Sequence, residues 1–193
     1  MILAPSRTLV GLAITCALSA PWVVGCGATS ERSTHASEST VAARPADVVG
    51  VTSREAIEAA VPAWHDAIAA ADPEDETARA LAGVPAGAEV DVFLGTWCGD
   101  SRREISRLFL ALEIAAQVAP LPFTIRFVGV DRSKVAPGLS EDADLRYVPT
   151  VIVRRDGVEQ GRIVETATRG IEQDLLDLLT GTRSGFLSLT RTP

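Results

Sequence analysis

The run Thr96-Trp97-Cys98-Gly99-Asp100-Ser101-Arg102-Arg103 gathers the side chains of this sequence best suited to covalent chemistry. A cysteine attacks as its thiolate, so the question is what stabilises that form at Cys98. Apolar, β-branched residues precede the run and an amphipathic pattern follows it, which predicts Cys98 at the first turn of a helix. Unpaired backbone N–H groups and the positive end of the helix dipole there favour thiolate over thiol. Ser101, three residues on, carries a hydroxyl within reach of the same sulfur. Asp100 works in the opposite sense, because a neighbouring carboxylate disfavours a second negative charge, while Arg102 and Arg103 offset it. From position alone, a reactive cysteine and a buried structural one are both open readings.

The remaining cysteines lie in an N-terminal segment that reads as an address. Residues 1–26 contain Arg7, the apolar run Leu9 to Leu18 and the ending Val23-Val24-Gly25-Cys26, the pattern of an export signal. An uncleaved membrane-spanning helix from Thr8 to Gly25 is the competing reading, and Pro21 and the Gly-Cys ending weigh against it. The ending resembles a lipobox, which implies that Cys26 is acylated, becomes the new N-terminus and anchors an exported chain to a bacterial membrane. On that reading Cys16 leaves with the signal, Cys26 is blocked by lipid, and Cys98 is the one free thiol. No internal disulfide is then available, so redox chemistry must pass through a partner.

Residues 27–50, rich in Ser, Thr, Ala and Glu, cannot bury enough surface to fold and read as a disordered tether. Residues 51–182 read as one domain and 183–193 as a C-terminal tail. With 47% hydrophobic residues the domain can build a core without disulfides. The chain carries a net charge of −7; removing residues 1–26 takes away Arg7 alone, leaving 17 basic against 25 acidic side chains, or −8. That balance disfavours nucleic acid as a partner.

The elements expected to position Cys98 follow from periodicity. Ser53 can cap a helix whose apolar positions include Ile57, Trp64 and Ile68, with Pro62 bending or splitting it. Trp64 is assigned to packing and His65 to the surface. A short helical stretch near Glu76–Ala82 follows, then a buried strand, Glu89 to Gly95, running into the motif. Ile105, Leu108, Phe109 and Leu112 mark one face of the next helix, which Pro120 ends. Phe123 to Val130 and Pro149 to Arg154 are strands, and Asp156-Gly157 is a hairpin turn leading into Val158 to Val164. A last helix runs from Arg169 to Leu179. The order predicts an α/β domain: a central mixed sheet with helices on both faces and an N-terminal helical extension.

Two of these motifs, in this order, resemble the thioredoxin superfamily over about residues 86–179. Trp97-Cys98-Gly99-Asp100-Ser101 is similar to the family's Trp-Cys-Gly-Pro-Cys site, and Tyr147-Val148-Pro149-Thr150 to its Ile-Pro-Thr segment. The resemblance is narrower to bacterial thioredoxin-like proteins that carry this serine variant. It implies a thioredoxin-like fold, Cys98 as nucleophile, Trp97 as an exposed aromatic beside it, and a cis-Pro149 facing the sulfur. Val148, Pro149 and Thr150 would receive an extended substrate, with Val148 presenting its backbone. An ordinary trans proline at the start of a strand is the other reading of Pro149.

The departures are informative. Ser101 stands at the resolving-cysteine position, so a mixed disulfide at Cys98 cannot be released internally. The family's buried acid would fall at Val92, and Asp91 points to the opposite strand face. The expected function is therefore single-cysteine thiol–disulfide exchange with protein thiols and disulfides or with low-molecular-weight thiols, without a cofactor. The alternative is a redox-inactive module that holds extended peptide in the same groove. A monothiol glutaredoxin is disfavoured by the lack of a Gly-Gly-x-Asp-type segment. With His35 and His65 as the only histidines, no metal site is expected.

Overall fold

Strand β2 (Ala88–Leu94) sorts the domain onto two sides of a sheet, because its residues alternate between two separate apolar clusters. Val90, Val92 and Leu94 point into the larger cluster, and Phe93 points into the smaller one. The computed structural model describes residues 47–138 and 143–193. Cys16, Cys26 and the expected signal, together with the tether up to residue 46, lie outside the described residues.

Beside β2 run β3 (Thr124–Gly129), parallel to it, and β4 (Thr150–Arg155), antiparallel. β5 (Val158–Val164) returns from β4 through Asp156 and Gly157, both at positive φ (52° and 74°), the backbone that a two-residue hairpin requires. Two three-residue strands close the edges. β1 (Gly50–Thr52) pairs antiparallel with β3, and β6 (Gly185–Leu187) pairs parallel with β5. The sheet is thus mixed and six-stranded, in the order β1-β3-β2-β4-β5-β6. Residues expected as tether end (Gly50) and as tail (185–187) both take part in it.

Among the described residues, five helices complete the α/β domain. Ser53 Oγ accepts the Ala56 N–H at 3.3 Å and caps α1 (Arg54–Ala60), and Pro62 separates it from α2 (Ala63–Ala69). α3 (Asp75–Ala80) runs into a 3-10 turn at Leu81–Gly83. α4 (Gly99–Val118) starts at the Cys98 motif, and α5 (Ile171–Thr180) ends at Gly181.

The expectation of helices on both faces is corrected here. All five contribute to the same cluster, through Ile57, Trp64 and Ile68, Ala78, the Ile105/Leu108/Leu112 stripe, and Leu175 with Leu178. None of these five helices contributes a buried residue to the cluster on the opposite face. There the chain after β3 lies across Phe93, Val128 and Ile152 with Ala136, Ala143 and Val148. Its start is a turn fixed locally, with Asp131 Oδ1 accepting the N–H groups of Ser133 (2.8 Å) and Val135 (2.9 Å). Helical periodicity says which side of a helix is buried, but not which side of a sheet it covers, and Pro137-Gly138 breaks any pattern in this segment.

Burial on the helix side is deep: Ile57, Trp64, Leu81, Leu108, Ile105 and Leu175 are inaccessible to solvent. Each such aliphatic side chain contributes about 1.5–3 kcal/mol relative to exposure, which accounts for a core held without disulfides. Ionic contacts tie the helices together at one end. Glu172 on α5 receives both arms of the Arg107 guanidinium of α4 and the Glu74 N–H (2.9 Å) at the start of α3.

Candidate functional site

Cys98 is the N-cap residue of α4, with extended backbone angles and a side chain that caps nothing. Two backbone bonds fix it: its N–H donates to Gly95 O at 2.9 Å, and its carbonyl accepts the Arg102 N–H at 3.0 Å. The side chain is half-buried against the smaller cluster, and its thiol donates to the Val148 carbonyl at 3.3 Å. The end of β2 and the entry to β4 therefore meet at the sulfur, although fifty residues separate the two groups in sequence.

The Val148–Pro149 peptide bond is cis. Val148, Pro149 and Thr150 are all buried, and the Val148 carbonyl is the atom of this segment that meets the sulfur. Thr150 Oγ1 donates to Tyr147 O at 2.8 Å and Pro149 O accepts the Glu165 N–H at 2.8 Å, which ties the segment down from both sides.

Trp97 differs from the exposed aromatic expected of it. It is half-buried, its indole N–H donating to Val130 O at 3.1 Å while the Arg132 guanidinium lies 5.1 Å above the ring. The indole also lies flat against Gly95, where a Cβ would stand 2.6 Å from Cε2. Only glycine fits at that position, and the ring is held as one wall of the site. Trp64 supports the same turn from the helix side, its indole N–H donating to Thr96 O at 3.2 Å. His65 is exposed and touches Glu58.

Ser101 corrects a second expectation. Its hydroxyl does not donate to the sulfur; fully buried, it accepts the Gly95 N–H at 3.1 Å and pins the strand–helix turn from inside. Asp100 is paired with Arg103 at 2.8 Å, and Arg103 reaches on to Glu104 (3.1 Å) and to Thr166 Oγ1 (3.0 Å) in the loop after β5. The carboxylate beside Cys98 is thereby partly neutralised by a guanidinium.

Val92 is buried on the helix side of β2, whereas Asp91 lies on the opposite face between Arg126 (2.8 Å) and Arg154 (2.6 Å). No acid stands under Cys98 from that strand. A buried acid that the sequence analysis does not single out lies on α4. Glu104 is buried on α4, where burial pushes its carboxyl above the ordinary range and Arg103 pulls against that shift. The signal was available, since Glu104 lies on the same stripe as Ser101 and Leu108. Thr166, which accepts from Arg103, carried none, whereas the Arg103–Asp100 pair is the one the sequence suggests.

Among the described residues no three His, Cys, Asp or Glu side chains gather as metal ligands, and no helix is long and apolar enough to cross a membrane. Chemically, the site offers a half-exposed thiol, an aromatic wall and a neighbouring backbone segment. No family model matches the chain, and no curated protein does. A crystal structure of a protein of unknown function from Pseudomonas aeruginosa is similar to it, with 14% identity and a TM-score of 0.46, over 69% of this chain and 89% of that one.

Proposed function

We propose that this chain is a thioredoxin-like protein performing single-cysteine thiol–disulfide exchange at Cys98, in the cell envelope, anchored by a lipid on Cys26. The observation that carries the reading is the 3.3 Å contact between Cys98 Sγ and the Val148 carbonyl, at the junction of a strand, a helix start and a cis-proline segment. A structural cysteine needs no such position; it packs equally well inside the larger cluster.

The exchange balances with one thiol. The Cys98 thiolate attacks a disulfide R–S–S–R′, forming Cys98–S–S–R and releasing R′–S⁻, which takes up a proton. With Ser101 in place of a resolving cysteine, an external thiolate R″–S⁻ then attacks the mixed disulfide. It leaves as R–S–S–R″ and regenerates the Cys98 thiolate. Protein disulfides and low-molecular-weight disulfides both qualify as the first reactant.

Acid-quenched cells, with the proteins disulfide-linked to Cys98 identified by mass spectrometry, test the reading. Discrete adducts that vanish in a Cys98→Ser variant support it. Adducts equally abundant in that variant, or none in wild type under oxidising conditions, overturn it in favour of a redox-inactive binding module. A Ser101→Cys variant supplies the missing resolving thiol and is expected to gain insulin-reducing activity.

A further inference from the structure

The last residues of the chain fold back onto the segment that faces Cys98. The Leu189 N–H donates to Thr166 O at 2.9 Å, and Thr190 Oγ1 donates to Glu165 Oε2 at 3.1 Å. Arg191 then grips the same carboxylate with two arms, Nε to Oε2 at 2.5 Å and Nη2 to Oε1 at 3.2 Å. Its guanidinium carbon lies 4.4 Å above the Tyr147 ring. Glu165 is mostly buried, and its backbone sits in the left-handed region (φ 58°), which a residue with a side chain occupies only when its surroundings hold it there.

These contacts converge from two sides on one dipeptide. Glu165 donates its backbone N–H to Pro149 O, and Tyr147 immediately precedes Val148, whose carbonyl accepts the Cys98 thiol. We propose that Arg191, acting through Glu165 and Tyr147, is a positioning residue that holds the Val148-Pro149 backbone against Cys98 and so restrains access to the thiol. The C-terminal residues Leu189 to Arg191 form a strap over the site.

The planar fork of arginine matters here. It spans both oxygens of Glu165 while its face stacks on the ring; a lysine keeps the charge but not the fork or the planar face. Loosening the strap releases Glu165 from its held conformation, weakens the bond to Pro149 O and frees the Val148 carbonyl to move off the sulfur. A thiol so released reaches an electrophile more readily.

The inference rests on the exchange reading for its functional meaning, and alkylation separates the two. In the full-length protein, the rate of iodoacetamide modification of the Cys98 peptide is followed by mass spectrometry, under native conditions and in denaturant. Arg191→Ala and Glu165→Gln are expected to raise the native rate severalfold. Arg191→Lys is expected to fall between them and wild type. Arg79→Ala, which removes an exposed ion pair on α3, leaves the rate unchanged. All variants should react alike in denaturant. Folded Arg191→Ala and Glu165→Gln proteins that alkylate at the wild-type rate or slower overturn the strap. If the strap variants respond as expected but no mixed disulfide forms at Cys98 in any of them, the exchange reading falls and the strap stands.

Discussion

The two faces of the sheet are built by different means. On one side five helices interdigitate over β2, β4 and β5 and leave their large side chains without solvent contact. On the other, Ala136, Ala143 and Val148 from the chain after β3 pack with Phe93, Val128 and Ile152, and Asp91 stands between two arginines. Cys98 and Trp97 pack with the second group, although α4, which begins at Cys98, belongs to the first. A reactive group needs rigid support and also access. On the proposed reading, the helix side supplies the support through α4, and the half-buried thiol lies against the smaller cluster.

Truncations on the two faces should therefore diverge in a way that can break this division. Phe93→Ala is expected to cost about 3–5 kcal/mol and Leu108→Ala about 2–5 kcal/mol, read from denaturant midpoints. Only Phe93→Ala should also change the native alkylation rate of Cys98, because Phe93 shares a cluster with Trp97, Val148 and the cysteine. Equal changes in both variants would mean that the site draws on the two faces alike.

A smaller effect comes from the junction between β5 and α5. Asp174 is fully buried and accepts from Thr168 N (2.5 Å), Thr168 Oγ1 (2.8 Å) and Arg183 Nη1 (3.0 Å). Asp174→Asn keeps the shape but sets an amide donor against these donors, at an expected cost of about 1.5–3 kcal/mol. A thermal melt of the variant measures it.

How much of this was legible depended on whether the signal was local. β2, the β4–β5 hairpin and α4 could be read because alternation, the Asp156-Gly157 turn and the Ile105/Leu108/Leu112 stripe each lie within one element. The meeting of Cys98 with Val148 rested on two motifs whose proximity only a fold supplies. β1 and β6 were out of reach, since three residues carry no periodicity and their partners are distant in sequence. The hydroxyl of Ser101 was misdirected for a related reason. Spacing brought it near the sulfur, while the turn offered it the unpaired Gly95 N–H instead.

The smallest expected effect is in the pH dependence of stability, and it sharpens the picture of the helix side. Burial pushes the Glu172 carboxyl up, but the Arg107 guanidinium and the Glu74 N–H outweigh it and hold it below its ordinary value of 4.5. A carboxyl depressed in the folded state stabilises above its unfolded value, and that stability is lost as pH falls through the folded value. Glu104 is shifted upward, so its contribution is present below 4.5 and fades as pH rises through its folded value. Glu172→Gln should flatten the acid limb of a stability-against-pH curve, and Glu104→Gln should steepen it. The same slope in all three proteins would remove these acids from the account.

The central claim is that Cys98 is presented for exchange, and its most direct measurement is the reaction of the reduced protein with a small disulfide. The Cys98 peptide is followed by mass spectrometry before and after an external thiol is added. We predict a mixed disulfide at Cys98 under native conditions that the external thiol fully reverses, and none in Cys98→Ser. A Cys98 that stays unmodified in the folded protein, and reacts only once the chain is unfolded, would contradict the claim.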